Sequence, residues 1–528
     1  MPAVMGTRGV VASASPLASA AGLKVLMDGG NAVDAAVTVA SILSIDEPYF
    51  SGIGGHGILM LHLADTGEVK CLDFGGFAPH DFTIDQWGTP PSHQYRDVNS
   101  SVLPGTLAGW TEVLERHGTR SLGETLEPAV EHARRGVPAR PVVVDFIARL
   151  KSEMPRFPEL AGIFLPGGCV PRPGQIIVNR DLAGTYEAIA ENGAAHFYEG
   201  PLSDRIVDYY NRNGARFTRR EFSQYRPRWR DTLATTYRGR YRVVVPKCQT
   251  CAPNILTQLN VWEHFDVAGL GHLGFEGIHL GIETAKFAFS DRRIHCGDPD
   301  FSAVPYERLI SKDYGAELAS RIDPTRARSE RRLGDRVDDG RRGGTTHLTV
   351  VDKDRNAVAM TFTLGPSFGC MHVVPGTGIV LNNEGVFFDL DPLDGPNYPA
   401  AGKRVQHDMS PTMVFSGDRL FLALGTPGAL GITQTIPQVI SKVIDHGIEL
   451  QGAIESDRYR YFGAGQVRLG DNVSGGIRDQ LRDAGHDVLP PGAPPIWAGG
   501  FHAVMIDPES GTLIGGADPR RGGLAVAC

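Results

Sequence analysis

The chain has 528 residues, of which 41% are hydrophobic and 21% charged, and its formal net charge is -8. This composition is typical of a globular protein and excludes a strongly basic surface of the kind that binds nucleic acid. The sequence contains no apolar run near the roughly 18 residues that a membrane span needs. We therefore expect neither nucleic acid nor a membrane as a partner.

The cysteines and the first residues favour a cytoplasmic protein. The chain has seven cysteines, an odd number, and they are scattered, which favours free thiols in a reducing compartment over a disulfide framework. The N-terminal residues show no basic segment followed by an apolar one, so they do not resemble a secretory signal.

The N-terminal part of the chain predicts two helices and a hairpin. The first helix begins after Ser15, a typical N-cap that precedes a proline, and ends at the glycines 29–30. A second helix, rich in small apolar residues, covers 31–47. Two strand patterns follow over 58–63 and 68–74, close enough together to pair as a hairpin.

The pattern then changes from helices to strands at about residue 345. The helical segments before this point include 106–118, 125–136 and 274–293. The strand-like segments after it are 346–353, 356–364, 378–383, 410–416, 419–425 and 501–507. Two late helices are predicted over 433–447 and 475–485.

A polar, arginine-rich stretch over 321–344 separates these two parts and predicts an exposed, mobile loop. One interpretation is a two-domain protein with this stretch as its linker. The other is one sheet structure built from both parts. We prefer the second, because the strands of the first part need partners.

Thr345 stands where this loop meets a strand, in RRGGTTHLTVVD. A threonine hydroxyl is a weak nucleophile without an adjacent base, whereas an N-terminal threonine carries one in its α-amino group, with a pKa of about 7.7–8.0. Attack of the Thr345 hydroxyl on the Gly344 carbonyl would give an ester whose hydrolysis creates such a terminus. Gly344 suits this step because glycine tolerates strained backbone. The alternative is an ordinary strand start.

Two further segments could support such a nucleophile. Thr363 falls opposite Thr345 if the intervening hairpin turns near 354–356, although a Thr–Thr pair across strands can be purely structural. The glycine turn GTPGALG, 425–431, follows a strand pattern and could aim backbone N–H groups at an oxyanion, or it could be a simple turn.

Other chemical motifs are weaker. A lone Cys248-x-x-Cys251 has no second cysteine pair nearby, as a metal site would require. The group of His295, Cys296, Asp298 and Asp300 reads equally well as a tight turn. Single histidines such as His56, His80 and His407 more often have structural roles. The sequence thus indicates no metal site.

A series of blocks spans nearly the whole chain in an order known from one protein family. The blocks are ASASPLASAAGLKVLMDGGNAVDAAV, EPYFSGIGGHG, VLPGTLAGW, YRGRYRVVVP, SDRRIHCGDPDF, GGTTHLTVVDKDRNAVAMTFTL, LNNEGVFFD, MSPTMVF, GTPGALG and GGADPRRGG. In these blocks the chain resembles the gamma-glutamyltranspeptidase family of N-terminal nucleophile (Ntn) hydrolases. Each block alone is weak, but together they are specific.

The resemblance implies an α+β fold with four layers, αββα, assembled from both products of an autocatalytic cleavage. The proenzyme would cut itself between Gly344 and Thr345 into a large chain, 1–344, and a small chain, 345–528, which form one intertwined catalytic domain. Thr345 would be the nucleophile, and Thr363 matches the family's second threonine. Gly428 and Ala429 match the glycine pair of the oxyanion hole, with the second glycine replaced. No metal or organic cofactor is implied.

The positions that match the family's substrate contacts differ in this chain. Gly75 stands where the family has the arginine that holds the glutamyl α-carboxylate, and Phe387 stands where it has the aspartate that holds the α-amino group. Glu384 replaces a glutamine and Gly365 an asparagine. His407-Asp408 replaces a pair of serines. Loss of both charged contacts argues against a γ-glutamyl substrate.

The sequence therefore predicts a self-processed, N-terminal-threonine amide hydrolase or acyltransferase. It acts on a small amide other than glutathione and releases the acyl group to water or an amine. Three alternatives remain open. They are true γ-glutamyl hydrolysis and transfer, a non-catalytic relative that binds a ligand or partner, and a metal-dependent amidohydrolase. The sequence also leaves a homo-oligomer open.

Overall fold

Two seven-stranded sheets organise the part of the chain that the computed structural model describes, which is residues 1–84, 96–328, 344–390 and 395–528. The strands of this part, numbered in chain order, are β1 (Val4–Gly6), β2 (Gly9–Ser13), β3 (His56–Leu63), β4 (Glu68–Phe74), β5 (Val137–Pro138), β6 (Ile176–Ile177), β7 (Arg228–Arg230), β8 (Thr232–Tyr237), β9 (Tyr241–Pro246), β10 (Thr346–Asp352), β11 (Ala357–Thr363), β12 (Val373–Val374), β13 (Ile379–Val380), β14 (Thr412–Ser416), β15 (Arg419–Gly425), β16 (Tyr459–Gly463), β17 (Gln466–Leu469), β18 (Asp487–Val488), β19 (His502–Ile506), β20 (Leu513–Ala517) and β21 (Leu524–Ala527).

Helices from along the length of the chain pack around the sheets. In the described residues they are α1 (Pro16–Met27), α2 (Ala32–Asp46), α3 (Thr106–His117), α4 (Leu122–Arg135), α5 (Pro141–Leu150), α6 (Pro158–Phe164), α7 (Arg180–Asn192), α8 (Ala195–Tyr198), α9 (Pro201–Arg212), α10 (Arg219–Gln224), α11 (Pro253–Trp262), α12 (Val267–Leu270), α13 (Phe275–His295), α14 (Tyr306–Leu309), α15 (Lys312–Ala319), α16 (Ile432–Ile444), α17 (Leu450–Glu455) and α18 (Gly475–Asp483).

Each large sheet combines strands from before and after Gly344. Sheet I has the order β21-β2-β10-β11-β3-β4-β7, and sheet II has the order β1-β20-β19-β15-β14-β9-β8. In sheet I the hairpin β10–β11 lies between β2 and β3, which both precede it in sequence by hundreds of residues. The two-domain interpretation is therefore wrong, and the preferred one-structure interpretation matches the topology.

Three buried clusters give the order of the layers. One cluster lies between the sheets and joins residues such as Met60 and Val351 of sheet I to Met413 and Val504 of sheet II. A second packs α1, α2, α3 and α4 on the outer face of sheet I. A third packs α11, α13, α16 and α17 on the outer face of sheet II. The succession is helices, sheet, sheet, helices, as the resemblance implies.

The burial of both faces explains the composition of β10 and β11. All seven residues of each strand are buried, because helices cover one face and sheet II covers the other. Strands buried on both faces are near-continuous apolar or β-branched runs rather than alternating ones. The sequences of β10, THLTVVD, and of β11, AVAMTFT, fit that pattern.

Most predicted elements are present, with one clear exception. The segment 378–383 forms a strand only over Ile379–Val380. Of the loop predicted over 321–344, residues 329–343 lie outside the described residues. Among those described, no helix is both long enough and apolar enough to cross a membrane.

Candidate active site

Thr345 lies immediately before β10 at one end of sheet I and is buried, with 4% of its surface exposed. The antiparallel register of β10 and β11 places Thr346 opposite Phe362. The next pair outward is Thr345 and Thr363. The hairpin thus brings the two threonines together, as their spacing predicts.

The carbonyl of Gly344 accepts hydrogen bonds from both threonines. Thr363 Oγ1 donates to it at 3.0 Å, and Thr345 Oγ1 also donates to it. Thr363 Oγ1 in turn accepts the backbone N–H of Gly365 at 2.7 Å, which leaves its own proton for the Gly344 oxygen. The Thr363 hydroxyl therefore polarises the peptide bond between Gly344 and Thr345, and the Thr345 hydroxyl lies beside the same bond.

Gly344 occupies a position with no room for a side chain. A Cβ there would collide with the carbonyl oxygen of Gly365 and lie 3.2 Å from the Phe50 ring. Position 344 therefore requires glycine, because the backbone of Gly365 approaches it too closely for any side chain.

The loop after β15 extends toward the same end of the molecule. Gly425, the last residue of β15, packs directly on the imidazole of His347, two residues after Thr345. The turn Ala429–Gly431 then leads into α16, which begins at Ile432. Backbone N–H groups at a helix N-terminus favour negative charge. Gly428 and Ala429 precede this helix N-terminus directly, and their role as an oxyanion hole stays a prediction.

Both residues of the predicted oxyanion hole have positive φ, +140° for Gly428 and +49° for Ala429. The loop is fixed by Thr426, whose hydroxyl donates to the Pro427 carbonyl at 2.8 Å and accepts the Gly500 N–H at 2.9 Å. The unusual backbone is therefore held by its surroundings rather than free to relax.

At Gly75, the space that a side chain would need is filled. A Cβ at position 75 would collide with the side-chain amide of Gln249 and would lie 2.8 Å from Asp73 Oδ1. The same amide already donates a hydrogen bond from Nε2 to Asp73 Oδ1, at 2.8 Å. Arg404 Nε donates to the Gly75 carbonyl at 3.3 Å and lies 3.8 Å from Asp73 Oδ2. Burial alone would raise the pKa of Asp73, but Arg404, Gln249, the Gly75 N–H and Arg230 together hold it below its usual value.

Glu384 is paired with a histidine that sequence reasoning had set aside. Its Oε2 lies 3.0 Å from Nε2 of His56, and both side chains are buried. His56 is the first residue of β3 and pairs with Thr363 across the sheet. Glu384 Oε1 would lie 3.2 Å from a Cβ on Gly365. The structure thus brings Glu384 and Gly365 to the Thr363 end of the hairpin.

The other predicted contacts have different surroundings. His407 is buried, its ring lies 5.7 Å from that of His56, and burial together with His56 lowers its pKa to about 3, so the ring is neutral. Asp408 pairs with Arg292, its Oδ1 lying 3.4 Å from Arg292 Nε. Phe387 packs in a small apolar cluster with Ala78, Val102, Phe388 and Val405.

Sequence reasoning missed several residues of this site, namely His56, Asp73, Gln249 and Arg404. A signal existed for His56, because its strand neighbours β11 and its loop belongs to the block EPYFSGIGGHG. Asp73 belongs to DFGGFAP, beside the Gly75 already singled out. Gln249 and Arg404 carry no local signal, since only tertiary folding brings them to Asp73.

The other motifs do not build a centre of their own. Cys248 and Cys251 are buried free thiols. Asp300 pairs with Arg228 and Arg230, and Asp298 accepts the Arg404 N–H. Within the described residues, one group could approach a metal, the buried set His279, Glu283 and His486. There the ammonium of Lys286 lies 2.7 Å from Glu283 Oε1 and already supplies a cation.

Comparison with known proteins gives one consistent answer. The model of the family described as gamma-glutamyltranspeptidase matches residues 18–528. The chain is 35% identical to an acylase ACY 1 proenzyme of Pseudomonas sp. (strain V22), over 99% of this chain and 94% of that one. It is 31% identical to a glutathione hydrolase proenzyme of Bacillus subtilis (strain 168), over 99% and 92%. The solved cephalosporin acylase from Bacillus halodurans superposes with a TM-score of 0.92 at 28% identity, over 100% of this chain and 97% of that one.

Proposed function

The chain belongs to the gamma-glutamyltranspeptidase family, and on that premise we propose that it is a precursor that cuts itself before Thr345 and then uses Thr345 as the nucleophile of an amide hydrolase or acyltransferase. Its relatives are named proenzymes, acylases and glutathione hydrolases. The chain is accordingly an enzyme of the hydrolase and acyltransferase type, acting on an amide, and the non-catalytic and metal-dependent alternatives explain these findings less well.

The observation that carries the proposal is the shared acceptor of the two threonines. Both hydroxyls donate to the Gly344 carbonyl oxygen, so Thr345 Oγ1 lies beside the carbonyl it would attack. Attack on the carbonyl carbon moves the acyl group from the Thr345 nitrogen to its oxygen. Water then hydrolyses the ester, which leaves a carboxylate on Gly344 and a free α-amino group on Thr345.

In the mature enzyme the α-amino group of Thr345 takes the proton of Oγ1 as that oxygen attacks the substrate amide. The oxyanion would be stabilised by the backbone N–H groups at Gly428 and Ala429, at the N-terminus of α16. The amine leaves with a proton, and the acyl group remains on Thr345 Oγ1 until water or a second amine removes it.

Intact-mass measurement tests this mechanism. We expect the purified protein to consist of two chains that meet between Gly344 and Thr345, and the Thr345→Ala variant to remain one chain of 528 residues. Thr346→Ala is the matched control, because it removes the neighbouring hydroxyl and should still be cut. A wild-type chain that stays uncut after long incubation would reject the proposal.

The polar groups around the acyl site favour a substrate other than glutathione. Gly75 has no side chain to hold an α-carboxylate, and the nearby Arg404 is already engaged by Asp73 and the Gly75 carbonyl. We therefore propose an acyl group that lacks the α-carboxylate which γ-glutamyl compounds present.

The γ-glutamyl alternative has one observation in its favour, the presence of the Arg404 guanidinium beside Gly75. Three substrates distinguish the proposed acyl group from the γ-glutamyl alternative: the p-nitroanilides of γ-glutamate, glutarate and butyrate. Turnover of the glutaryl or butyryl compound with kcat/KM above that of the γ-glutamyl compound supports the first proposal. Preference for the γ-glutamyl compound would restore the alternative.

A further inference from the structure

Three successive carbonyls of the 496–500 loop each accept a hydrogen bond from a different buried guanidinium. The pairs are Arg521 Nη2 and Ile496 O at 2.9 Å, Arg460 Nη1 and Trp497 O at 2.6 Å, and Arg458 Nη1 and Ala498 O at 2.6 Å. Each of the three arginines is at most 2% exposed. Hydrogen bonds from a charged donor are stronger than those between neutral groups. The loop is therefore fixed by its backbone.

The 496–500 loop lies directly against the predicted oxyanion loop. The Gly500 N–H donates to the Thr426 hydroxyl at 2.9 Å. A Cβ on Gly499 would collide with that hydroxyl and lie 2.9 Å from the Pro427 carbonyl oxygen, and a Cβ on Gly428 would lie 3.6 Å from Gly499 Cα. The position of one loop thus fixes the position of the other.

Arg460 also touches the start of α16. A Cβ on Gly431, the last residue before this helix, would collide with the Arg460 guanidinium. The strand that carries Arg460, β16, is tied to the first turn of the helix by Gln434, which donates to the Tyr461 carbonyl at 3.0 Å and accepts the Tyr461 N–H at 2.8 Å. The guanidinium therefore lies between the Trp497 carbonyl and the N-terminus of α16.

The charge of Arg460 suits this place. Backbone N–H groups at a helix N-terminus already favour a negative charge, and a fixed cation buried beside them favours it further. The nearby carboxylate of Asp518 is engaged by Arg458, its Oδ2 lying 2.7 Å from Arg458 Nη2. Burying a guanidinium is costly, so its position next to a predicted anion site suggests a role in that site.

We propose that Arg460 is a positioning residue of the oxyanion site, whose guanidinium ties the N-terminus of α16 to the 496–500 loop and so aims the backbone N–H groups at Gly428 and Ala429. This inference rests on the proposed function, because it names a support for the same site. Arg460 does not contact the substrate. It acts through the backbone of the oxyanion loop.

The Arg460→Met variant tests this role in the processed enzyme. Self-cleavage should proceed, because the Gly344 carbonyl is polarised by the Thr363 hydroxyl. We expect kcat on the p-nitroanilide that the wild type hydrolyses fastest to fall about 100-fold, the effect of misplacing a catalytic group by about 1 Å. KM should stay within about twofold, since the N–H groups act on the transition state.

A boronic acid gives a second readout. Butaneboronic acid accepts the Thr345 oxygen and forms a tetrahedral anion that resembles the intermediate of acyl transfer. Its inhibition constant should rise in Arg460→Met by a factor similar to the fall in kcat/KM, as for a transition-state analogue. A side chain that only stabilises the fold would not produce this proportionality.

Arg468→Met is the matched control. Arg468 is half-buried, pairs with Arg460 across β16 and β17, and packs on the same Phe462 ring, 5.8 Å from its centroid against 4.7 Å for Arg460. Its replacement should leave kcat unchanged. Arg460→Lys keeps the charge but loses the planar group that reaches both Trp497 and Gly431, so kcat should fall by about 5- to 10-fold.

The results separate the inference from the proposed function. A normally cut Arg460→Met enzyme with kcat within threefold of the wild type, or with its loss confined to KM, would overturn the inference and leave the proposed function standing. If Arg460→Met does not fold, Arg460→Lys decides, and wild-type kcat in that variant overturns the inference. A wild-type chain that is neither cut nor active on the anilides would reject both.

Discussion

Thr363 is the residue whose hydroxyl connects the strand pairing to the chemistry. Its oxygen accepts from Gly365 and its proton goes to the Gly344 carbonyl. A threonine in the last position of β11 could serve only to fill the sheet. The two bonds, however, use both the donor and the acceptor of the hydroxyl, and the carbonyl they reach is the one that Thr345 would attack.

We expect Thr363→Val to slow self-cleavage by about 100- to 1000-fold, the effect of removing one donor from a carbonyl that develops negative charge. Valine has nearly the same shape, so the hairpin should persist. The rate is read from the disappearance of the 528-residue chain. Thr363→Ser, which keeps the hydroxyl, should be cut at a rate close to the wild type. Equal rates for the valine and serine variants would contradict the role.

The parts of the site that could be predicted from the sequence are those that are local in the chain. Thr345 and Thr363 belong to one hairpin, so counting residues across the turn was enough to place them together. Glu384, His407 and Gly75 were singled out only as departures from family positions. Their actual partners, His56, Gln249 and Arg404, come from distant segments, and no periodicity or spacing specifies such contacts.

At the scale of elements, strong local signals were sufficient. Helix α1 begins where predicted because the Ser15 hydroxyl accepts the Ala18 N–H at 3.2 Å, the usual N-cap bond. Of the segment 378–383, only Ile379–Val380 forms a strand, which pairs with β12 in a small two-stranded sheet. The predicted strand was too long because the burial of Ile379 and Leu381 comes from packing into the same cluster as α2, and not from a longer sheet pairing.

The loop between β15 and α16 contains a residue in a strained backbone conformation, and the free-energy cost of this strain can be measured. Ala429 has φ +49°, a region that costs a residue with a Cβ roughly 1–2 kcal/mol. We expect Ala429→Gly to raise the free energy of unfolding by about 0.5–1 kcal/mol, since glycine adopts this region freely but loses more entropy on folding. Urea unfolding of the uncut Thr345→Ala chain provides the measurement.

The matched control for that change is Ala316→Gly, in the exposed middle of α15. Glycine there should lower the free energy of unfolding by about 1 kcal/mol. A loss at both positions would show that Ala429 is not strained.

For the whole molecule, buried histidines set the response to acid. Burial lowers the pKa of His407, of His486 and of His502 to about 3. Each stays neutral in the folded protein, whereas the unfolded chain takes up a proton below about pH 6.5. Their contribution to stability is therefore complete above pH 6.5 and is lost as the pH falls toward 3. Glu47, whose pKa burial raises to about 7, acts in the opposite direction between pH 7 and 4.5.

We expect the free energy of unfolding of the Thr345→Ala chain to fall by about 2 kcal/mol between pH 7 and pH 5.5, because the three histidines together outweigh Glu47 at about 1.4 kcal/mol per pH unit for each group. Urea titrations at the two pH values measure it. His486→Gln should lose less over the same interval, because one of the groups is gone. Constant or rising stability toward pH 5.5 would contradict the assignment of neutral, buried rings.

The sheets also decide what happens to the two chains after cleavage. In sheet I the strands β10, β11 and β21 of the small chain have edges paired with β2 and β3 of the large chain. In sheet II, β14 pairs with β9 and β20 with β1. Separation would expose all of these edges together with the cluster between the sheets, and unpaired, apolar edges lead to aggregation.

We therefore expect the cut protein to migrate as one species in size-exclusion chromatography, with both chains in equal amounts, and to separate only in denaturant. Residues 345–528 expressed alone should be insoluble. In sheet I, β10 would lose its partner β2, and β11 would lose its partner β3 together with the strands β4 and β7 beyond it. Co-expression of 1–344 with 345–528 as separate chains should restore solubility and, because Thr345 would then need only removal of its initiating methionine, activity as well. A soluble, folded small chain on its own would show that the two products are independent domains and not one.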